Sequence, residues 1–328
     1  MDRQSWLKPE PIECQDSAEL LSNLDPSSTL WKPFEYGRWA FRGQADASWD
    51  LIPRAIRPNE RLSFQDSELR APLDQHRQIQ AEWSLLTDFI ELADEIGFQL
   101  PGDLTDVRFP WKRYETQLYG DQPWPPTNLL ELAAIAQHHG VPTRLLDFTF
   151  NPLVAAYFAV AQPTKSDHLA VWAVDIDFIR TAWASFDRGI RVVQVSRGSN
   201  PFLHAQSGLF IYDAENNSNS IRQRILDHDI DSLAHIEQAS MDQLAHSPRV
   251  RCLTVATHHR KLLLEQLAAR RVTRAHIQPT LDNVVDQLWS GLSARASTNQ
   301  EGHKNGDQQI ANKLAPAEAE ISHNREKS

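Results

Sequence analysis

The segment TRLLDFT, which begins at Thr143, carries polar side chains among apolar ones. In an extended chain alternate side chains share a face, so Thr143, Asp147 and Thr149 would point to the same side. Arg144 would point to the other side. Two hydroxyls and a carboxylate in an apolar neighbourhood need internal partners or a ligand. The alternative is that Asp147 and Thr149 cap a helix that begins near Asn151, since both residue types are common helix caps.

Arg42 is the second candidate, because it ends a predicted strand and is followed by Gly43 and Gln44. Its guanidinium is a planar fork of donors that suits phosphate or carboxylate, and the glycine permits a close approach to the backbone. The alternative is a structural ion pair between Arg42 and an acid such as Asp147. The sequence leaves both interpretations open.

Three more places in the sequence offer a candidate for contact with a small ligand. His138 and His139 end a predicted helix, where one ring can face a pocket while the other serves as a cap or in the core. Gln206 begins a predicted strand, and its amide can recognise the edge of a base or of another amide. Tyr157, in a later helix, can place a ring over the same pocket. The adjacent histidines lack the i, i+4 spacing of a helical metal site, so no metal is predicted.

The composition is typical of a folded globular protein. The 328 residues are 41% apolar and 23% charged, and the formal net charge is −10. Binding to a phosphate backbone needs clustered Lys and Arg, so nucleic acid is not expected as a partner. The two cysteines lie far apart, which fits a reducing compartment. With no signal peptide and no apolar run near the ~20 residues that span a bilayer, we expect a cytoplasmic protein without membrane contact.

The elements that must position these residues follow from hydrophobic periodicity and capping. Helices are predicted over Asp16–Leu24, over Leu62–Ile96 and for LLELAAIAQHHG, PLVAAYFAVAQ, HHRKLLLEQLAARRV and LDNVVDQLWSGL. Strands are predicted for RWAFRGQ, HLAVWAVDID, RVVQVS, SGLFIYD and RCLTVAT. Helices come first and the strands cluster late, which predicts an α+β fold with a mixed β-sheet flanked by helices. Residues 293–328 form a polar tail that cannot offset its chain entropy by burial, so disorder is expected there.

Two segments resemble the FRG domain family. WAFRGQADASWDLIPRAIR contains the Phe-Arg-Gly motif that names the family, and AIAQHHGVPTRLLDFTFNPLVAAYFAV resembles its Gln-His-x-Gly-x-Pro-Thr-Arg-Leu-Leu-Asp block. NPFLHAQSGLFIYD is a weaker match to the family's Gln-x-Gly-x-Phe strand. The resemblance covers about residues 31–292 and leaves residues 1–30 as an N-terminal extension. It implies a bacterial protein, often in a mobile-element or phage-defence setting.

The order of these segments looks like that of the ADP-ribosyltransferase superfamily, which implies NAD as the ligand and no metal. By this likeness Arg42 would hold the diphosphate, and Thr143 and Thr149 would lie near the nicotinamide ribose. Gln206 would stand where those enzymes usually have a glutamate, so Asp147 or a glutamate from elsewhere would have to supply the negative charge. Arg42, Asp147 and Gln206 are thus the predicted catalytic residues. The predicted ligand-binding residues are Gly43, Gln44, His138, Thr143, Arg144, Thr149 and Tyr157.

Two other functions fit the same residues. One is a non-catalytic module that senses a nucleotide-like ligand or binds a protein partner through this pocket. The other is a toxin or defence effector that acts on a macromolecule, which overlaps biochemically with the NAD-dependent enzyme. No Gly-rich phosphate loop, Gly-x-Ser-x-Gly or His-Glu-x-x-His motif occurs, so the sequence gives no support to hydrolase, kinase-type or zincin chemistry.

Overall fold

In the part of the chain that the structure describes, seven strands form one mixed sheet. In chain order they are β1 (Ile12–Cys14), β2 (Trp39–Gln44), β3 (Leu146–Thr149), β4 (His168–Asp175), β5 (Ile190–Val193), β6 (Gly208–Asp213) and β7 (Val250–Ala256). Across the sheet their order is β1-β7-β4-β2-β3-β6-β5. The strand β1 runs parallel to β7, and the other neighbouring pairs are antiparallel. The structure is a computed structural model and describes residues 10–31, 38–100, 123–183, 189–194, 206–215, 220–233 and 249–289.

Helices pack around this sheet and confirm the predicted α+β architecture. They are α1 (Ser17–Asn23), α2 (Gln75–Glu95), α3 (Leu130–His138), α4 (Pro152–Ala161), α5 (Ile176–Ala182), α6 (Ile221–Leu233) and α7 (Arg260–Ala269). Two of the expected starts are made by side-chain caps. Asp16 accepts the first backbone N–H groups of α1, and Asn151 accepts the N–H of Leu153 at the start of α4.

The long helix α2 starts later than the periodicity predicts. The prediction placed its start at Leu62, but the helix begins at Gln75, after an N-cap at Asp74. Between these points, Ser63 and Asp66 accept hydrogen bonds from backbone N–H groups two or three residues further on. Such local bonds offer the backbone an alternative to the helix, which explains the later start.

The strand β1 was not predicted. It contains three residues, and Ile12 lies opposite Leu253 of β7 in parallel register. A strand this short has too few residues for an alternation pattern to be visible in the sequence. It lies within residues 1–30, so a part of the predicted N-terminal extension forms one edge of the sheet.

Three helices lie on the same face of the sheet, with α4 on one side of β3 and α2 and α3 on the other. Paired residues of antiparallel strands share a face, which places Phe41 of β2 with Thr149 and Asp147 of β3. Gly43 shares this face, and a Cβ at Gly43 would lie 1.8 Å from the carbonyl oxygen of Ala155, so α4 packs directly on β2. On the other side, the apolar residues of α2 and α3 form a core with Phe210, the partner of Asp147. Asp147 therefore lies between α3 and α4.

The chain divides into two compact units, residues 1–273 and residues 274–328. The sheet belongs to the first unit. In the second unit, α8 (Arg274–Ile277) precedes a helix at residues 281–289, and Asn283 joins them by donating its side-chain N–H to the carbonyl of Gln278 at 2.8 Å. The predicted polar tail, 293–328, lies outside the described residues. Among the described helices, none has the length and apolar character needed to cross a membrane.

Candidate functional site

The candidate site lies at a gap between β2 and β3. The strand β2 pairs with β4 along its whole length, whereas its register with β3 contains the single pair Phe41 and Thr149. Beyond this pair the two strands separate. Arg42 bridges the gap, because its Nη1 donates a hydrogen bond of 2.8 Å to the backbone carbonyl of Asp147. A side chain thus takes the place of the backbone ladder.

The positive charge of Arg42 is only partly compensated. Its side chain is 17% exposed, and the nearest carboxylate oxygen, Oδ2 of Asp147, lies 3.7 Å from Nη1. Burial lowers the pKa of Arg42, and the neighbouring charge of Arg57 lowers this pKa further, against the opposing effect of Asp147. Among the described residues, the buried Nε of Arg42 has no hydrogen-bond partner. A buried guanidinium in this state favours the approach of an anion.

Asp147 is held in place by a residue that the sequence analysis did not single out. Gln137 donates its Nε2 to Oδ1 of Asp147 at 2.7 Å, and its own oxygen accepts the hydroxyl of Thr143. That hydroxyl also accepts the backbone N–H of Leu145 at 3.3 Å. Asp147 is nevertheless 62% exposed, so the network orients the carboxylate without removing it from solvent. The sequence feature that could have indicated this role is the position of Gln137 directly before the two histidines at the end of α3.

His138 lies next to this network at the exposed end of α3. Partial burial lowers its pKa below the ordinary value of 6.5, the adjacent His139 lowers it further, and Asp147 acts in the opposite direction. The ring of His138 meets that of His139 edge to face, with 5.3 Å between centroids. At neutral pH His138 is therefore uncharged and adds no further positive charge to the gap.

Two predicted ligand-binding residues, Arg144 and Gln44, have buried side chains, and a third, Gly43, is packed against α4. Arg144 is 2% exposed and donates to both carboxylate oxygens of Glu82 at 2.8 and 2.9 Å. Gln44 is buried, donates to the carbonyl of Asp50 and accepts the indole N–H of Trp172. Gly43 is covered by α4. The side chains of Arg144 and Gln44 are thus satisfied within the protein, and α4 occupies the space into which a side chain at position 43 would point.

The remaining predicted residues lie toward the other end of β3. The hydroxyl of Thr149 donates to the backbone carbonyl of Gln206 at 2.6 Å and accepts the backbone N–H of Asn151 at 2.9 Å. Asn151 itself caps α4, so the cap that was predicted for Asp147 or Thr149 is made by a different residue. Gln206 thus has its backbone beside Thr149, two residues along the strand from Asp147. Tyr157 is two residues from both Ala155 and Ala159, which places it on the side of α4 opposite Gly43.

The structure therefore unites some of the predicted residues and separates others. Arg42, Asp147, Thr143 and His138 meet at the gap, joined by Gln137. Gln206 and Thr149 follow along the same strand, while Tyr157 lies on the outer side of its helix. Within the described ranges, no group of three or more His, Cys, Asp or Glu side chains is placed to hold a metal ion.

One comparison with known proteins finds a match, and it covers part of the chain. A family model described as FRG domain matches residues 37–168. This range contains Arg42, Asp147, Gln137 and Thr143, and with them the whole of the gap between β2 and β3. Neither the curated proteins nor the solved structures include a match.

Proposed function

We propose that the FRG domain carried by this chain binds a nucleotide of the NAD class at the gap between β2 and β3, with Arg42 holding its diphosphate. The observation that carries this proposal is the state of Arg42. Its guanidinium is largely buried, its Nε lacks a partner among the described residues, and its carboxylate neighbour lies 3.7 Å away and faces solvent. Guanidinium groups bind phosphate with charge-assisted, often bidentate hydrogen bonds.

The residues around Arg42 fit such a ligand. Arg57 adds a second positive charge near Arg42, and a diphosphate carries enough negative charge to use both. The carboxylate of Asp147 can accept the hydroxyls of a ribose, which is the usual role of an acidic residue in dinucleotide sites. Gln137 and Thr143 keep that carboxylate in one orientation.

As an enzyme, the protein would transfer the ADP-ribosyl group of NAD. The bond between the ribose and nicotinamide breaks, nicotinamide leaves with the bonding electrons, and the ribosyl carbon becomes positive. Asp147 supplies a fixed negative charge beside that carbon, which is the electrostatic contribution that such a reaction needs. An acceptor hydroxyl, amine or water then adds to the carbon and gives up its proton to solvent.

A non-catalytic sensor of the same ligand is the second candidate. Two observations favour it: Gln206 is neutral, and Asp147 already has Gln137 on one oxygen and Arg42 near the other. A carboxylate held in this way stabilises a developing charge less than a free one. Binding without turnover would then signal to a protein partner.

Calorimetric titration with NAD and with ADP-ribose tests the binding step. Replacing Arg42 by Gln removes the charge and retains most of the length, and we expect the dissociation constant to rise about 10- to 100-fold for loss of a charge-assisted hydrogen bond. Arg77→Gln is the matched control, because Arg77 is exposed on α2 and remote in sequence from the gap. If neither compound binds the wild-type protein, or if both variants bind equally well, the proposal is wrong.

Release of nicotinamide from NAD separates the two candidates. An enzyme releases nicotinamide, and Asp147→Asn abolishes the release while ADP-ribose still binds. A sensor shows ligand-induced thermal stabilisation and no release. The defence or toxin setting implied by the family resemblance is tested in cells, where expression of an active enzyme lowers the NAD pool and expression of Asp147→Asn does not.

A further inference from the structure

The helix at residues 281–289 carries large apolar side chains on its solvent side. The helix begins after Thr280, whose hydroxyl accepts the backbone N–H of Asn283 at 3.1 Å. Large apolar residues then recur at intervals of three and four, with exposed fractions between 44% and 83%; they are Leu281, Val284, Val285, Leu288 and Trp289. We call this surface the 281–289 stripe.

The 281–289 stripe is opposite the buried side of its helix. Each residue advances about 100° around a helix, so Leu281, Val285 and Leu288 lie within about 60° of one another. Asn283 lies on the opposite side, where it is 6% exposed and donates to the carbonyl of Gln278. A group of large apolar side chains in contact with water is typical of a surface that associates with another molecule.

The charges of the helix favour a protein partner over a membrane. Residues 281–289 include two acids, Asp282 and Asp286, and no Lys or Arg. Asp286 lies outside the stripe, where its Oδ2 is 3.7 Å from Nη1 of Arg274. Helices that lie on membranes have a basic polar face, which anionic headgroups attract. An acidic helix is repelled by such a surface.

The order of the apolar residues suits pairing with a second copy of the same helix. In the heptad notation for paired helices, Leu281 and Leu288 occupy d positions and Val285 occupies the a position between them. In a parallel pair each of these residues meets its own counterpart, and valine at a with leucine at d favours two strands. Val284 then stands at g and Trp289 at the following e, which face each other across such a pair. Parallel pairing therefore uses all five apolar residues.

The size and charge of the stripe agree with such a pair. The five side chains present roughly 500–600 Å² on each copy, so pairing buries about 1,000–1,200 Å², which reaches the lower limit for a specific interface. Asp282 occupies an e position, but the g position that would face it, residue 277, precedes the helix. The acidic groups of the two copies are thus kept apart at the rim.

We propose that the 281–289 stripe joins two copies of this chain in a parallel dimer with twofold symmetry. Leu281, Val285 and Leu288 each pack against the same residue of the other copy. A twofold contact uses the same surface on both copies, so it closes at two and leaves no stripe for further association. The dimer is independent of the proposed nucleotide site, because no residue of the gap between β2 and β3 lies within residues 274–328.

Sedimentation equilibrium of the full chain between about 1 and 300 µM tests the dimer. We expect reversible dimers with a dissociation constant of about 10–100 µM, since the interface is small. Leu288→Glu places two carboxylates against each other in an apolar contact and raises this constant at least about 100-fold. Leu262→Glu is the matched control, because Leu262 is 48% exposed on α7 and lies outside the stripe. This control leaves the association unchanged.

Disulfide cross-linking tests the parallel arrangement. Leu281→Cys brings two thiols together in a parallel pair and should give a covalent dimer on mild oxidation, whereas an antiparallel pair places position 281 opposite the other end of the helix. Asp286→Cys, outside the stripe, should give none. The native Cys14 and Cys252 are buried and do not compete.

Four results overturn the proposal. The first is a chain that stays monomeric at about 300 µM, as it would if another part of the same chain covered the stripe. The second is a Leu288→Glu variant that dimerises like the wild type, which places the contact elsewhere. The third is a Leu281→Cys dimer that forms no disulfide. The fourth is co-sedimentation of the monomer with phosphatidylserine vesicles, which assigns the stripe to a membrane.

Discussion

Replacing Gly43 by Ala tests why the Phe-Arg-Gly motif ends in glycine. The added Cβ would lie 1.8 Å from the carbonyl oxygen of Ala155 and 2.6 Å from the backbone N of Ala159. Both atoms belong to the backbone of α4, which cannot move aside as a flexible side chain can. Overpacking usually costs about 1–3 kcal/mol, and a clash with the rigid backbone of a helix places this change at about 3 kcal/mol or more.

Urea titration monitored by tryptophan fluorescence measures the loss in free energy of unfolding. Thermal melting should show a matching fall in Tm of roughly 6–12 °C. Gly97→Ala is the matched control. Gly97 has φ of +73° and no neighbouring atom within 4 Å, so its replacement introduces backbone strain of about 1 kcal/mol and no clash. Ala155→Gly does not rescue Gly43→Ala, because the clash is with the backbone. If Gly43→Ala is no more destabilising than Gly97→Ala, the close packing of α4 on β2 is refuted.

Three further predictions concern buried or partly buried titratable groups. Glu82→Gln leaves the buried Arg144 without a counter-charge and lowers the free energy of unfolding by about 3–5 kcal/mol. The control Glu60→Gln, in a more exposed ion pair, lowers it by less than about 1 kcal/mol. Similar losses for the two variants in urea titrations would contradict this prediction. His138 has a lowered pKa, so the folded state favours its neutral form and stability falls as the pH drops through 6.5. Melting curves of His138→Gln should depend less on pH in that window, and an unchanged dependence would be contrary to the assignment. Burial raises the pKa of Cys252 to about 12, so native protein at pH 8 should not alkylate there; rapid labelling, measured by mass spectrometry, would be inconsistent with this burial.

Several parts of the fold follow from local patterns, and others do not. The starts of α1 and α4 were predicted because Asp16 and Asn151 are caps whose partners lie within three residues. The predicted start of α2 was wrong because the apolar spacing continues through a segment that hydrogen bonds to Ser63 and Asp66 hold in turns. Periodicity reports which residues are apolar, not which local hydrogen bonds compete with a helix.

The candidate site shows the same division between local and long-range information. Alternation along TRLLDFT placed Asp147 and Thr149 on one face. The register of β3 bears this out, because Asp147 lies opposite Phe210 and Thr149 lies opposite Gly208, two residues apart on β6. The partner of Arg144 is Glu82, which comes from α2 and is separated from it by a long stretch of chain. No spacing rule connects such residues, so the sequence could not distinguish a buried ion pair from a ligand contact. The role of Gln137 was missed for the same reason, because it depends on where α3 ends relative to β3.

A crystal structure of the protein with ADP-ribose is the most direct test of the central claim. We expect the diphosphate within hydrogen-bonding distance of Arg42, with the ribose hydroxyls toward Asp147 at the gap between β2 and β3. Should the ligand lie elsewhere, with the hydrogen bond from Arg42 to the carbonyl of Asp147 unchanged, the gap would be a structural junction and not a nucleotide site.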